Sequence, residues 1–290
     1  MKRMNIMLDQ IIAPFADYAF MRRALAASVI LSLGCTPLGI FMGLRRMTLV
    51  GDAMSHAILP GVALAFVSFG LSLLPMTFGG LLAGGLVALL AVALTRITQL
   101  KEDASFTMLY LISLASGVTI ISLKGSSVDL LHMLFGNILA IDNDSLLLIA
   151  SVTCLTLFTI AGFYRGLVIE CFDPDFAQAS ARGRSWGSQI FFILLVLNLI
   201  AAFQALGTLM ALGLMILPAI AARFWTQNID TALPVSIGFA LIASFTGLLL
   251  SYYERIPSGP AVILVAGGIA LGSVMLGRRG SVMGYFTNKQ

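Results

Sequence analysis

Seven runs of about twenty residues in this chain contain no aspartate, glutamate, lysine or arginine: roughly 24–44, 74–95, 106–123, 145–164, 187–206, 231–253 and 259–277. Two further runs, 49–70 and 207–225, carry one each, Asp52 and Arg223. A helix needs about 20 mostly apolar residues to cross about 30 Å of hydrocarbon, and lipid offers no partner for an unpaired backbone group. The runs therefore predict an all-α integral membrane protein, a polytopic bundle of eight or nine transmembrane helices. The count depends on the sixth and seventh runs, which only Ala205-Leu206-Gly207 separates; a tight hairpin and one broken helix both fit. With 10% charged and 59% apolar residues, against about 25% and 45–50% in soluble domains, a secreted toxin, a nucleic-acid binder and a soluble enzyme are excluded.

The 290 residues read as a single transmembrane domain. Residues 1–21, with Asp9, Pro14 and Asp17 among apolar neighbours, suit an interfacial segment better than a span. A signal peptide ahead of Cys35 fits poorly, because the apolar run continues past it to Leu44. Residues 125–144 are amphipathic, carry His132, and read as a short outer or re-entrant helix. Cys35, Cys154 and Cys171 lie too far apart for a CxxC site or a disulfide framework.

Lys and Arg placement orients the bundle. With Arg45 and Arg46 inside and nine alternating spans, 11 of the 17 basic residues fall on the inner side, including Arg96, Arg165, Arg182 and Arg278. The loop 165–186 and the tail 278–290 are then cytoplasmic. Arg22 and Arg23 fall outside.

Ionisable groups inside a membrane are expensive and rare. The second run holds Gly51-Asp52-Ala53-Met54-Ser55-His56-Ala57, and His56 is one of only two histidines. Asp52 and His56 are four residues apart, hence on one helical face. Carboxylate and imidazole together suit a divalent first-row metal ion, and Ser55 is a possible weak third ligand. Pro60-Gly61 would loosen the backbone just beyond them. The competing reading pairs Asp52 with Arg45 or Arg46 and leaves His56 to bond a neighbouring helix. Two ligands do not complete a shell, so other helices, a second subunit or water would have to close it, or the ion is in transit.

The loop from Glu170 to Gly183 has helix punctuation at both ends. Asp173 can cap, Pro174 suits the first helical position, and Gly183 stops the helix. Phe172 and Phe176, beside Asp175, would present aromatics on one face. That is a docking knob for a cytoplasmic motor, or equally an amphipathic helix lying on the membrane.

These segments together resemble the membrane permeases of bacterial zinc/manganese/iron ABC importers. The resemblance rests on Leu44-Arg45-Arg46-Met47 with Gly51 to Ala57 and Pro60-Gly61, on Leu134-Phe135-Gly136-Asn137, and on Asp173-Pro174-Asp175-Phe176-Ala177. Met215-Ile216-Leu217-Pro218-Ala219, Ser251-Tyr252-Tyr253 and Pro257-Ser258-Gly259-Pro260 complete it, in family order from about residue 15 to 277. It implies a homodimer in the bacterial inner membrane, a soluble metal-binding protein outside, and two ATPase subunits inside. It also implies that Asp52 and His56 guide the metal (Zn2+, Mn2+ or Fe2+) as transient ligands with no permanent cofactor, and that Asp173 to Gly183 is the coupling helix. Arg22 and Arg23 would then meet acids of the delivering protein.

The chain has no GxxxxGK[ST] phosphate loop, so ATP hydrolysis would belong to a partner. Three other classes compete. In a proton- or ion-coupled secondary transporter, Asp52 and His56 would relay protons. An intramembrane metalloprotease needs more than two isolated histidines. A purely structural subunit leaves the acid and histidine on one face unexplained.

Overall fold

The computed structural model of the chain describes residues 12–70, 72–98, 100–123, 141–172, 187–278 and 281–283. His132, Asp173, Pro174, Asp175, Phe176 and Gly183 lie outside the described residues, as do residues 1–11, most of 125–144 and most of the tail. The described chain is all helical: α1 (Ala19–Leu44), α2 (Thr48–Ala57), α3 (Leu59–Phe69), α4 (Leu73–Ile97), α5 (Glu102–Leu123), α6 (Asn143–Phe172), α7 (Gly187–Leu206), α8 (Thr208–Arg223), α9 (Ile229–Glu254) and α10 (Ser258–Leu276). Among the described residues seven helices are long and apolar enough to cross a membrane, α2 and α3 counting together as the span Thr48–Phe69. Shorter apolar helices, Gly187–Phe203 and Leu209–Arg223, occupy the sixth and seventh expected runs.

Hydroxyls inside these helices are satisfied locally. Ser28, Ser32, Thr77, Thr95 and Thr156 each donate to the carbonyl four residues back, which lets a polar side chain sit in apolar surroundings. Asn198 is fully buried and bonds between helices instead. Its amide donates to Thr156 Oγ1 at 2.6 Å and to the Leu194 carbonyl at 2.8 Å, tying α7 to α6.

Helix α1 runs through the middle, packed on α6, α8 and α9. One cluster, α2 to α5, forms where α3 lies on α4 and both α2 and α3 lie on α5; α8, α9 and α10 form a second. Helix α7 bridges them, touching α4, α6 and α8. The central stretches of α1 and of the α2–α3 span are 72% and 67% buried, against 33% or less in the other five long spans. The span carrying Asp52 and His56 is thus an interior one.

End contacts settle the α7–α8 ambiguity. Ser188, at the start of α7, accepts from Arg45 at 3.1 Å, and Arg223, at the end of α8, donates to the Gly43 carbonyl at 3.3 Å. Both contacts lie at the same end of α1, so α7 and α8 form a hairpin, turned at Gly207 with φ 83°. A broken straight helix would have put them at opposite ends.

The expected fifth span, 145–164, is longer than predicted: α6 continues through Arg165 and Glu170 to Phe172. At its other end Asp142 caps the helix, accepting from the Ser145 N–H at 3.0 Å. Hydrogen bonding to Ser145 holds the Asp142 carboxyl below the usual carboxylate range, with Arg23 adding a small pull. A carboxyl pKa lowered by folding stabilises the protein at pH values above the ordinary carboxylate pKa. That contribution fades as acid titrates the group through its lowered value. Asp142→Ala is expected to cost about 1 kcal/mol at neutral pH and less once the wild-type group is protonated, because a neutral carboxyl accepts the Ser145 N–H more weakly. Thermal unfolding in detergent across an acid series measures both.

Candidate functional site

Helix α1 closes in a Schellman-type turn. The Met47 N–H reaches the Met42 carbonyl at 3.0 Å and the Arg46 N–H reaches Gly43 at 3.3 Å. Arg46 takes the left-handed conformation, φ 57°, that such a turn requires. The turn aims α2 back into the bundle, and Asp52 arrives one helical turn later. His56 follows one turn deeper, at the end of α2.

The span breaks at that point. Pro60 has no N–H, and its ring would clash with the carbonyl four residues back, which is that of His56. The His56 carbonyl instead meets the Ile58 N–H, and a new helix begins at Leu59. Irregular backbone at membrane depth is tolerated where it is buried in protein or lines a cavity.

Asp52 Oδ1 and His56 Nε2 stand 3.8 Å apart. That exceeds a hydrogen bond but lies close to the roughly 3–3.5 Å between two ligands sharing a metal at about 2.1 Å bonds. A small rotamer adjustment brings both onto one ion. The Asp52 side chain is 61% exposed and that of His56 26%. His56 Nδ1 is buried without a hydrogen-bond partner, and the ring lies 6.2 Å from that of Tyr110 on α5. Leu49, Asp52, His56, Pro60 and Leu64 follow one another at three- or four-residue steps, none of them buried. They make a stripe about 22 Å long at 1.5 Å per residue, opening sideways from the bundle.

Two sequence readings are revised. Ser55 is not available as a ligand: it is 4% exposed and donates to the Asp52 carbonyl at 2.8 Å. The alternative pairing of Asp52 with Arg45 does not form, because Arg45 lies against Glu170 at 3.7 Å. Among the described residues no group of three or more His, Cys, Asp or Glu side chains assembles, so one copy of the described chain brings this pair alone.

The other predicted residues sit at the two ends of the bundle. Phe172 is exposed at the last residue of α6. Arg22 and Arg23 are exposed near the start of α1. Arg22 donates back to the Ala16 carbonyl at 2.6 Å and to that of Phe15 at 3.4 Å. Glu170, at the start of the expected loop, carries no local signal in the sequence that points to an arginine far along the chain.

Comparison with known proteins gives concordant results. Residues 17–277 match the ABC 3 transport family. The chain is 30% identical to the manganese transport system membrane protein MntC of Halalkalibacterium halodurans, over 100% of this chain and 97% of that one. It is 28% identical to a Haemophilus influenzae protein described as a probable iron transport system membrane protein, over 89% and 94%. Among solved structures, PsaBC from Streptococcus pneumoniae in complex with Fab superposes with a TM-score of 0.83 at 29% identity, covering 98% of this chain and 100% of that one.

Proposed function

Because the chain belongs to the ABC 3 transport family, we propose that it is the membrane permease subunit of an ATP-driven importer of divalent transition-metal ions. Manganese and iron, named for its relatives, are the first candidates, and zinc suits the same ligands. The observation that carries this reading is the Asp52–His56 pair, four residues apart on an open stripe where an interior span breaks. A carboxylate facing lipid is costly, so the stripe calls for a cover. A second copy of the chain is the economical one, since two pairs facing each other across a two-fold axis offer four ligands. Loose, paired ligation suits a path, because an ion held by a complete tight shell leaves slowly.

The rest follows from the same reading. The chain crosses the bacterial inner membrane nine times and ends in the cytoplasm. Residues 165–186 meet an ATPase subunit there, with Phe172, Asp173, Pro174, Asp175, Phe176 and Gly183 at the contact. A metal-binding protein delivers the ion outside, against Arg22 and Arg23. No resident cofactor and no nucleic acid take part.

Reconstitution in vesicles with the ATPase and the binding protein tests the proposal. Uptake should require ATP and should rank manganese, iron and zinc by rate. Uptake driven by a proton gradient without ATP would instead establish a secondary transporter. In the same system, Arg22→Glu with Arg23→Glu should slow association of the binding protein several-fold at low salt and alter its salt dependence. Surface-binding kinetics that do not change would remove the two arginines from the docking face.

A further inference from the structure

We propose that Arg45, Glu170 and Ser188 form a clasp that ties the roots of the cytoplasmic loop to the helix bearing the metal ligands, with Arg45 its positioning residue. The inference rests on the importer reading above. Arg45 is the C-terminal cap of α1, Glu170 lies in the last turn of α6, and Ser188 in the first turn of α7. The two ends of the 173–186 segment therefore meet α1 at one point.

The contact is buried and reciprocal. The Arg45 and Glu170 side chains are 8% and 7% exposed, with Nη2 and Oε2 3.7 Å apart. Ser188 joins them, accepting from Arg45 Nη1 at 3.1 Å and donating to Glu170 Oε1 at 2.5 Å. The Phe191 ring lies 4.7 Å beneath the guanidinium, a cation–π arrangement. Gly187 leaves the space the carboxylate fills, since a Cβ there would collide with Glu170 Oε2.

A buried charge pair resists being drawn apart, because separation leaves each charge uncompensated in a dry setting. When the roots of the loop shift, Arg45 must follow them. Arg45 is joined to α2 by the Schellman-type turn, whose Met47-to-Met42 bond leaves little slack. Asp52 lies one turn into α2. A displacement delivered where an ATPase subunit would dock thus reaches the metal pair through one side chain and one tight turn.

The test uses the complete importer, comparing Arg45→Met, Glu170→Gln, the double variant and Arg45→Lys. Rates are normalised to folded transporter by size-exclusion chromatography. Each single variant should lower the maximal uptake rate per folded transporter on the order of ten- to a hundredfold, the range of typical coupling between sites. The KM for the metal-loaded binding protein should hold, and fewer ions should cross per ATP hydrolysed. The double variant should be no worse than either single one, because all break the same contact. Arg45→Lys keeps the charge but not the planar fork and should recover only part of the rate. Should Arg45→Met or Glu170→Gln fail to fold, Ser188→Ala removes only the bridging hydroxyl and should still lower ions moved per ATP. Wild-type ratios of ions to ATP in all folded variants, or losses that multiply in the double variant, would overturn the clasp. Absence of ATP-dependent uptake in the wild type would overturn the importer reading itself.

Discussion

Asp52→Ala and His56→Ala are each expected to abolish metal uptake while the permease still folds and still binds the proposed ATPase subunit. Loss of partners merely orienting a metal ligand costs about 10–100-fold. Removing one of the two proposed ligands of a copy should therefore cost at least about a hundredfold. Asp52 is largely exposed, and His56, though mostly buried beside Tyr110, holds no hydrogen bond through Nδ1, so neither change breaks a hydrogen bond that holds the fold. Ser55→Ala is the matched control. It removes a hydroxyl that, among the described residues, donates to the Asp52 carbonyl, and uptake should stay within about twofold of wild type. Metal accumulation in vesicles, read by elemental mass spectrometry, distinguishes the three. Normal accumulation in either ligand variant would end the metal-path assignment.

The second large effect concerns stability. Gly61 on α3 and Gly79 on α4 cross so closely that a Cβ built on Gly61 would lie 1.9 Å from the Gly79 carbonyl oxygen and 2.7 Å from Ala83 Cβ. Backbone cannot rotate aside as a flexible side chain can. Gly61→Val must therefore push the helices apart, and α3 follows directly on the break after His56. Overpacking typically costs about 1–3 kcal/mol, and a β-branched residue against backbone should reach the upper end. Gly85→Ala, on the same helix as Gly79, has open space around its new Cβ and should stay within about 1 kcal/mol of wild type. Thermal unfolding in detergent should show a clear fall for the first and none for the second. Equal melting temperatures would mean that the crossing can relax.

Much of this was readable along the chain. Each long apolar run became helical, the run 49–70 as two helices broken before Pro60, because lipid permits little else, and the Asp52–His56 pair was legible because i,i+4 proximity needs only a helix. The hairpin at Gly207 was not legible, since a hairpin and a broken helix share one local pattern. Contacts from Ser188 and Arg223 to the end of α1 decided it. The end of α6 was misjudged for a related reason. Arg165 and Glu170 look like the start of a polar loop, yet the helix runs on to Phe172 and sets Glu170 against Arg45, a partner distant in sequence.

Sequence alone determined the solvent, the helical class and the i,i+4 pairing of the candidate ligands, since all depend on composition or on spacings within a few residues. The tertiary structure decided which side of the α2–α3 span opens outward, that Ser55 is spoken for, and that Arg45 serves Glu170 rather than Asp52. Those outcomes depend on groups brought together by packing of distant helices. Hydropathy and periodicity carry no record of which helix lies against which.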